Sequence, residues 1–594
     1  MHTVMRRRFL LPLLLLSVAT LAVAPVAAET VTSVPVEVFN LDNGMKMLLV
    51  ERPEMTTVSA GWVAHVGAAN ERPGITGLSH LFEHMMFKGT PTIGTTDIKR
   101  DLEIIAEQEM IQEQIRQIYR EQRRQYRLGG NDDPFDPEAR TDKQIELEKQ
   151  FTALVEEQRS IMIKDEFDKI YTGAGGSGMN AGTTNDLTLY FITVPANKLE
   201  LWFWMESDRL GNPVFREFYS ERDVVQEERR MRTESTPTGK YAEQFEAMFW
   251  ESHPYSWPVV GWPSDLKVIS KQQADDYYAT YYAPNNLTVA LVGNFDSDQV
   301  KAMAKKYFGR IPRGETDPPD VVTLEMEQLA EKRMMAECDC QPQVDVRYHT
   351  VPFMHADSYA LDILSELLNG RTGRLYKELV LGKEIASSAS AGQDSGKYAG
   401  SFTFSAETKG DATPSRLESA WYMELRKIQE LPIPARELEK VKNNVAAGSF
   451  RRLQNPFFLA LQLMFYDGLG DWTYMNSWSD KTLAVTAEDV QRVAKKYFTP
   501  ENRAVATYTR LAGADAEQWP EGVEDLEGQV QVMVKTQLRQ LRQVQDVAQL
   551  QALVDQLQEQ KASAPPEFKD VIPIMEKFLS DRIAELSAAD GGDQ

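Results

Sequence analysis

The segment from Gly77 to Thr90 reads GLSHLFEHMMFKGT, and the rest of the chain can be interpreted around it. It contains no proline and its glycines stand only near its two ends, which predicts a helix. His80 and His84 are four residues apart, so both imidazoles lie on one helical face and can bind one zinc ion. Glu83 flanks that face and is placed to reach a water molecule beside the metal. H-x-x-E-H is the inverted zinc-hydrolase motif.

The same segment leaves two points open. Ser79 is an alternative N-terminal cap of the helix. A pair of histidines at this spacing also arises by chance, but the chain has only seven histidines in 594 residues, and two of them bracket a glutamate in an apolar helix. The composition therefore favours a metal site.

Residues 1–28 have the pattern of a signal peptide. Arg6 to Arg8 precede an apolar run from Phe9 to Ala24, and Val26-Ala27-Ala28 fits a cleavage site with small residues. The apolar run is shorter than a usual spanning helix; a retained membrane anchor is the alternative. We therefore predict export, a periplasmic location and no membrane span after the signal is cleaved.

The chain is strongly acidic. Its formal charge is −23, and removal of the three signal arginines takes it to −26. Such a charge argues against nucleic acid as a partner; it suits basic peptides, although solubility is the commoner reason for acidity. The two cysteines, Cys338 and Cys340, are predicted to be two thiols on one face of a strand, since a disulfide so short would be strained, with a metal role as the alternative.

Strand and helix patterns predict a sheet with packed helices. Val36 to Glu51 has the pattern of a hairpin around Asp42-Asn43-Gly44, and Val58 to Val66 follows as a third strand. Between about residues 100 and 170, two helices with apolar residues at heptad spacing are joined by a turn that begins at Gly129-Gly130. This arrangement favours an inserted antiparallel helical hairpin over two independent surface helices.

An internal repeat indicates two related domains. Residues 268–290 and 484–506 align without a gap at an offset of 216, each as a capped helix, a proline turn and a strand. The predicted class is therefore α+β, with two homologous α/β domains. We predict a catalytic domain over 29–312, a linker over 313–330, a second domain over 331–511 and a two-helix tail over 512–594.

Five segments carry a family resemblance that covers most of residues 35 to 510. They are residues 77–90, GMNAGTTNDLTLYF (178–191), ERDVVQEERR (221–230), HPYSWPVVGWPSDLKVIS (253–270) and YYAPNNLTVALVGNF (281–295). In this order they resemble the M16 family of zinc peptidases, which includes pitrilysin, insulin-degrading enzyme and the mitochondrial processing peptidase. The resemblance is strongest to the M16B branch, and it implies two domains that together form a half-shell.

The resemblance also implies the functional residues. Glu228 would be the third zinc ligand beside His80 and His84, with one zinc per chain, and Glu221 would orient a ligand. Glu227 is the rival ligand by sequence, but it points about 100° away around the helix. Glu83 would be the catalytic base, and substrate would add as a strand near Asn180 and Ala181.

Two departures from the family pattern bear on function. His84 and Glu228 are 144 residues apart, farther than in compact members, and the hairpin accounts for the excess. The Arg and Tyr that hold substrate in many relatives fall here on Val380 and Ser387, which cannot do so. We therefore predict a zinc endopeptidase acting on peptides or unfolded segments, paired with a second M16-like subunit that carries the Arg/Tyr pair. The alternatives are a homodimer, a non-catalytic scaffold and a peptide-binding chaperone subunit.

Overall fold

A computed structural model describes residues 33–511, 519–523, 525–526, 528–544, 546–560 and 571–590. The predicted signal peptide lies outside the described residues. The chain divides into two compact units, Met1–Thr509 and Arg510–Gln594. The first unit contains two β-sheets, and each sheet has its own hydrophobic core.

The first sheet is six-stranded with the order β1-β2-β6-β3-β5-β4. Its strands are β1 (Glu37–Asn40), β2 (Lys46–Glu51), β3 (Thr57–Ala64), β4 (Ser177–Thr183), β5 (Thr188–Pro195) and β6 (Leu287–Gly293). β1 and β2 form the predicted antiparallel hairpin, and β2 pairs with β6 in parallel. β4 pairs only with β5 and so lies at one edge of the sheet.

The second sheet is five-stranded with the order β7-β11-β8-β10-β9. Its strands are β7 (Lys332–Cys338), β8 (Gln343–Thr350), β9 (Ala386–Ser395), β10 (Gly400–Thr408) and β11 (Arg503–Arg510). If β1 is left out, the order of the first sheet is β2-β6-β3-β5-β4, which corresponds strand by strand to the order of the second sheet. The two copies also share side-chain detail, because Asn286 donates to the Tyr281 carbonyl and Asn502 to the Tyr497 carbonyl, both at 2.8 Å. This agreement confirms the predicted internal repeat.

Helices cover both sheets. Those of the first half are α1 (Leu78–Met85), α2 (Ile98–Arg127), α3 (Asp142–Ile161), α4 (Glu166–Gly173), α5 (Leu199–Gly211), α6 (Phe218–Arg229), α7 (Gly239–Phe249), α8 (Pro263–Leu266), α9 (Lys271–Tyr281) and α10 (Ser297–Tyr307). Those of the second half are α11 (Ser358–Leu368), α12 (Pro414–Glu430), α13 (Ala435–Gln454), α14 (Pro456–Leu469), α15 (Tyr474–Ala484) and α16 (Ala487–Tyr497).

The two halves exchange helices across their sheets. Alternate residues of β2 point to opposite faces, so Met47 and Leu49 join the core under α1, whereas Leu48 and Val50 face α14 of the second half. In return, Phe245 and Phe249 of α7 pack against the outer face of the second sheet. Each half thus buries a sheet face that its own helices leave uncovered.

The hairpin is formed by α2 and α3, and it is antiparallel as predicted. Gln108 of α2 donates to Gln158 of α3 at 3.1 Å, and Gln122 donates to Gln144 at 3.3 Å, so residue numbers run in opposite directions along the contact. Ile104, Ile115 and Leu147 are buried with them. The alternative of two independent surface helices is therefore wrong.

Two sequence-based predictions are corrected. The described part of the tail contains three helices rather than two, α17 (Gly528–Gln543), α18 (Val547–Gln560) and α19 (Val571–Asp590), because the long glutamine-rich stretch is interrupted near Val544. Cys338 and Cys340 are a disulfide rather than two thiols. β7 ends at Cys338, and the chain then turns so that the two Cα atoms lie 5.2 Å apart, within the range that a disulfide spans.

Among the described residues, no helix combines the length and the apolar character needed to cross a bilayer.

Candidate metal centre and active site

Helix α1 is held by its buried face and by its N-terminus. Leu78, Leu81, Phe82 and Met85 are buried against the first sheet and its neighbouring helices. The carboxylate of buried Glu71 accepts hydrogen bonds from the backbone N–H groups of Gly77 (2.7 Å) and Ser79 (2.6 Å), which satisfies donors that a helix leaves unpaired. The N-cap is Gly77 rather than Ser79. The polar face of the helix is therefore fixed in orientation.

Helix α6 brings Glu228 to the histidines of α1. The Oε2 atom of Glu228 lies 3.6 Å from His80 Nε2 and 3.4 Å from His84 Nε2. One ligand atom from each residue lies within 4.8 Å of the others, and this is the single such cluster found among the described residues. The structure thus brings together three residues that were selected from the sequence.

The donor set of this cluster fits zinc. Two imidazole nitrogens and one carboxylate oxygen are the ligands of a catalytic zinc that keeps a fourth position open. The rival ligand, Glu227, is exposed and pairs with Arg230 at 2.6 Å, so it faces away from the cluster. His80, His84 and Glu228 are therefore the residues that would hold the ion.

Glu221 lies behind His84, on the side opposite Glu228. Its Oε2 is 3.4 Å from His84 Nδ1, and its other oxygen pairs with Lys88. Burial lowers the pKa of His84, but the hydrogen bond to Glu221 and the charge of Glu221 outweigh it and raise the pKa overall. Burial likewise raises the pKa of Glu221, and the bonds to His84 and Lys88 more than reverse this. A carboxylate in this position fixes the ring orientation of a metal-binding histidine.

The environment of His80 differs from that of His84. Burial lowers the pKa of His80, and the charges of Glu83 and Glu228 offset this only in part. Its buried Nδ1 atom has no hydrogen-bond partner among the residues that the structure describes. His80 is thus held mainly by packing, whereas His84 is held by a carboxylate.

Glu83 faces the edge strand of the first sheet. Thr183 of β4 donates a hydrogen bond of 2.6 Å to Glu83 Oε2. Asn180 and Ala181 lie on the same strand, three and two residues earlier, with Asn180 exposed and Ala181 half-buried. Because β4 pairs on one side only, its other side offers unpaired backbone groups close to Glu83.

A cavity of about 360 Å³ opens beside Glu83 and His84. Phe87, Ile93 and Phe167 supply its apolar lining, and the segment that follows the hairpin supplies Met162 and Ile163. Residues of both α1 and β4 line the cavity.

The site contains side chains that sequence reasoning missed. The guanidinium of Arg232, on a π-helical turn after α6, pairs with Glu228 Oε1 at 2.7 Å and is 76% exposed. Thr183 contacts Glu83 and Lys88 contacts Glu221, whereas Glu71 holds the start of α1. Arg232 follows Glu228 by four residues, a spacing that could have indicated the pair. Lys88 and Thr183 meet partners 133 and 100 residues away in the chain, and such contacts carry no local signal.

Val380 and Ser387 lie far along the chain on the second half. Val380 packs against the second core, and Ser387 donates to Glu407 at 3.4 Å. Neither side chain can supply the charged or phenolic donor that the family pattern has at these positions.

Comparison with known proteins gives the family. A model described as Insulinase (Peptidase family M16) matches residues 46–109, which include the zinc motif, and one described as Peptidase M16 inactive domain matches residues 269–445. The Helicobacter pylori protein named Zinc protease PqqE is 30% identical over 339 residues, which cover 56% of this chain and 76% of that protein. The chain belongs to the M16 family of peptidases.

More distant relatives have related names. An uncharacterized zinc protease of Bacillus subtilis is 20% identical over 471 residues, covering 78% of this chain and 96% of that protein. For an uncharacterized zinc protease of Mycobacterium tuberculosis the match is 23% over 277 residues, or 46% of this chain and 47% of that protein.

Solved structures share the fold. A protease from Helicobacter pylori superposes with a TM-score of 0.66 and 24% identity, over 80% of this chain and 99% of that chain. The first half of the periplasmic protease PqqL from Escherichia coli superposes with a TM-score of 0.57 and 16% identity, over 80% of this chain and 93% of that chain. Pitrilysin superposes with a TM-score of 0.57 and 18% identity, over 81% of this chain and 46% of the pitrilysin chain.

Proposed function

We propose that this chain is a zinc-dependent endopeptidase that hydrolyses peptides or unfolded polypeptide segments. The observation that carries the proposal is the convergence of His80, His84 and Glu228, whose ligand atoms lie within 4.8 Å of one another. Glu83 lies on the same helix as the two histidines. The arrangement has the donor types of an open zinc site together with a carboxylate that does not join the cluster.

The chemistry assigns a role to each residue. A zinc ion held by His80, His84 and Glu228 supplies Lewis acidity, which polarises a scissile carbonyl and acidifies water. Glu83 accepts the proton of the attacking water and delivers it to the leaving amine. Thr183 holds the Glu83 carboxylate by one oxygen, which leaves the other for the water. Glu221 fixes the ring of His84.

Substrate is proposed to bind along β4. An extended peptide adds to a free strand edge through backbone hydrogen bonds, so many sequences are accepted and only extended segments fit. Asn180 and Ala181 lie on that edge, and Thr183 connects it to Glu83. This geometry supports peptides and unfolded segments rather than folded proteins as substrates.

The test compares two variants with the native chain. Glu83→Gln should retain zinc and the fold but lose peptide cleavage by about 100-fold or more, because an amide cannot accept the proton. His84→Ala should lose zinc. The measurements are metal content and cleavage of an unstructured peptide. Zinc retained by the native chain without any cleavage would favour the scaffold or chaperone alternative, and wild-type cleavage by Glu83→Gln would contradict the role of Glu83.

We further propose that the chain acts in the periplasm as the zinc-bearing, M16B-type subunit of a heterodimer. The support is the signal-like residues 1–28 and the absence of substrate-holding donors at Val380 and Ser387. A partner with the Arg/Tyr pair would supply those donors, and positioning is a large part of the rate. Activity of the isolated chain is compared with activity after addition of a second M16-like subunit. Full activity of the isolated chain would contradict the heterodimer.

A further inference from the structure

A buried arginine connects the metal-binding helix to the inserted hairpin. Arg216, which is 0% exposed, donates hydrogen bonds to the carbonyl oxygens of Lys88 (3.0 Å), Thr90 (2.6 Å) and Ile93 (3.0 Å). These carbonyls belong to the loop that follows α1. Arg216 itself lies two residues before α6, the helix that carries Glu228. One guanidinium therefore links the ends of both ligand-bearing helices.

The same guanidinium is paired with the hairpin. Its Nε atom donates to Asp101 of α2, which is also 0% exposed. The second oxygen of Asp101 accepts from Gln158 of α3 at 2.8 Å, and Gln158 in turn accepts from Gln108 at 3.1 Å. A buried ion pair whose hydrogen bonds are this well satisfied is rigid, and removal of one partner leaves an unpaired buried charge.

A second set of contacts connects the hairpin to α6. The hydroxyl of Tyr219 accepts from Arg116 at 2.9 Å and donates to Glu109, both on α2. Its ring meets Phe151 of α3 edge-on, with centroids 5.9 Å apart. Glu217 adds an ion pair with Arg159 of α3 at 3.2 Å. The hairpin thus contacts α6 through both of its helices.

We propose that the hairpin is a positioning element of the metal centre. It sets the separation between α1, with His80 and His84, and α6, with Glu228, through Arg216–Asp101 and Tyr219–Arg116. Metal binding and the order of the hairpin are therefore thermodynamically coupled, and each stabilises the other. This inference rests on the proposed zinc site and gives the insertion a role that its surface location alone does not suggest.

The test measures zinc affinity and amide hydrogen exchange on the full mature chain. Asp101→Asn removes the buried charge, and Tyr219→Phe keeps the ring but removes the bridging hydroxyl. The control is Arg124→Gln, since Arg124 is on the same helix, is 59% exposed and forms an ion pair with Glu121 near the tip. We expect zinc to bind about three- to tenfold more weakly to the first two variants and unchanged to the control. Zinc should also slow amide exchange at residues 101–119 and 147–158.

The outcomes separate this inference from the proposed function. A native chain that binds no zinc overturns the metal site itself. If the native chain binds zinc but the folded variants bind it as tightly as the native chain does, and hairpin exchange is the same with and without zinc, the site stands and the coupling is wrong. Should Asp101→Asn fail to fold, Tyr219→Phe decides the question, because it removes one hydroxyl and leaves the packing intact.

Discussion

Three glutamates of one helix segment have three different environments. Glu228 directs Oε2 to the histidines and Oε1 to Arg232, so one oxygen faces the proposed metal position. Glu221 is half-buried between His84 and Lys88. Glu227 is exposed and pairs with Arg230. The position of each residue around the helix, rather than its chemistry, separates the proposed ligand from the proposed supporting carboxylate and from the surface residue.

Glu221→Gln should weaken zinc binding by about 10- to 100-fold, because an amide supports the ring of His84 without a charge. Glu227→Gln is the matched control on the same helix and should bind zinc as the native chain does. Competition with a chelator measures both affinities. Equal affinities of the two variants would show that Glu221 does not act on His84.

At the scale of elements, α1 depends on the residue that starts it. Gly77 adopts a positive φ of 89°, and a Cβ atom there would lie 2.5 Å from the Val260 carbonyl oxygen and 2.9 Å from Gly261 Cα. Gly129, at the end of α2, also has a positive φ, 74°, but a Cβ atom there would meet nothing within 4 Å. An alanine would therefore be strained by the positive φ at both positions, but it would clash with backbone atoms only at position 77.

Gly77→Ala should lower the free energy of unfolding by about 3 kcal/mol and weaken zinc binding, since backbone atoms must move at the start of the metal helix. Gly129→Ala should cost only about 1 kcal/mol, from strain alone, and leave zinc binding unchanged. Denaturant unfolding and chelator competition test both. A similar small loss in both variants would contradict the assigned clash.

At the scale of the first compact unit, the two halves are held together by the exchange of α7 and α14. Asp467 of α14 is fully buried on the first sheet, where Lys46 and Thr288 donate to it at 2.9 and 2.6 Å. On the second sheet, Glu246 of α7 pairs with Arg347 of β8. Each exchanged helix thus brings a carboxylate to a basic residue of the sheet it covers.

Asp467→Ala should lower the free energy of unfolding by about 3 kcal/mol, because it leaves Lys46 beside an apolar face without its partner. Asp480→Ala, at an exposed position of the following helix, is the control and should stay within about 0.5 kcal/mol of the native chain. The two are compared by denaturant unfolding. If neither variant loses stability, the packing of α14 does not depend on the ion pair between Asp467 and Lys46.

The contact between the halves should also respond to pH through His349. The ring of His349 stacks on Phe249 with the centroids 3.8 Å apart. Burial lowers the pKa of His349 from its usual 6.5 to about 4. The charged groups that face His349 include Glu325, Lys332 and Arg347. Since the unfolded chain takes up the proton first, stability is full above pH 6.5 and falls as pH drops towards 4.

We expect the titration of His349 to lower the free energy of unfolding of the native chain by about 3 kcal/mol between pH 7 and pH 4. His349→Phe keeps the stacked ring and removes the titrating group, so its unfolding free energy should fall less over the same range. Denaturant unfolding at several pH values measures the difference between the two chains. Parallel pH profiles would contradict the assignment.

The sequence by itself determined the features that depend on neighbours in the chain. The spacing of His80 and His84 places two imidazoles on one face of any helix that forms there. The helices of the two repeats are capped as predicted; the caps are Ser270 and Thr486, each within a reciprocal capping box. The hairpin and the internal repeat were also predictable, because heptad spacing and a repeated pattern of cap, helix and strand are local signals.

Only the tertiary structure decided what meets across long distances in the chain. The family motif indicated Glu228, but its position opposite the histidines depends on how α6 packs. No local pattern joins Arg216 to Asp101, or Asp467 to the first sheet. The exchange of α7 and α14 was equally invisible. Burial makes these contacts strong, and burial is a property of the packed whole, whereas helix spacing and capping are properties of a few consecutive residues.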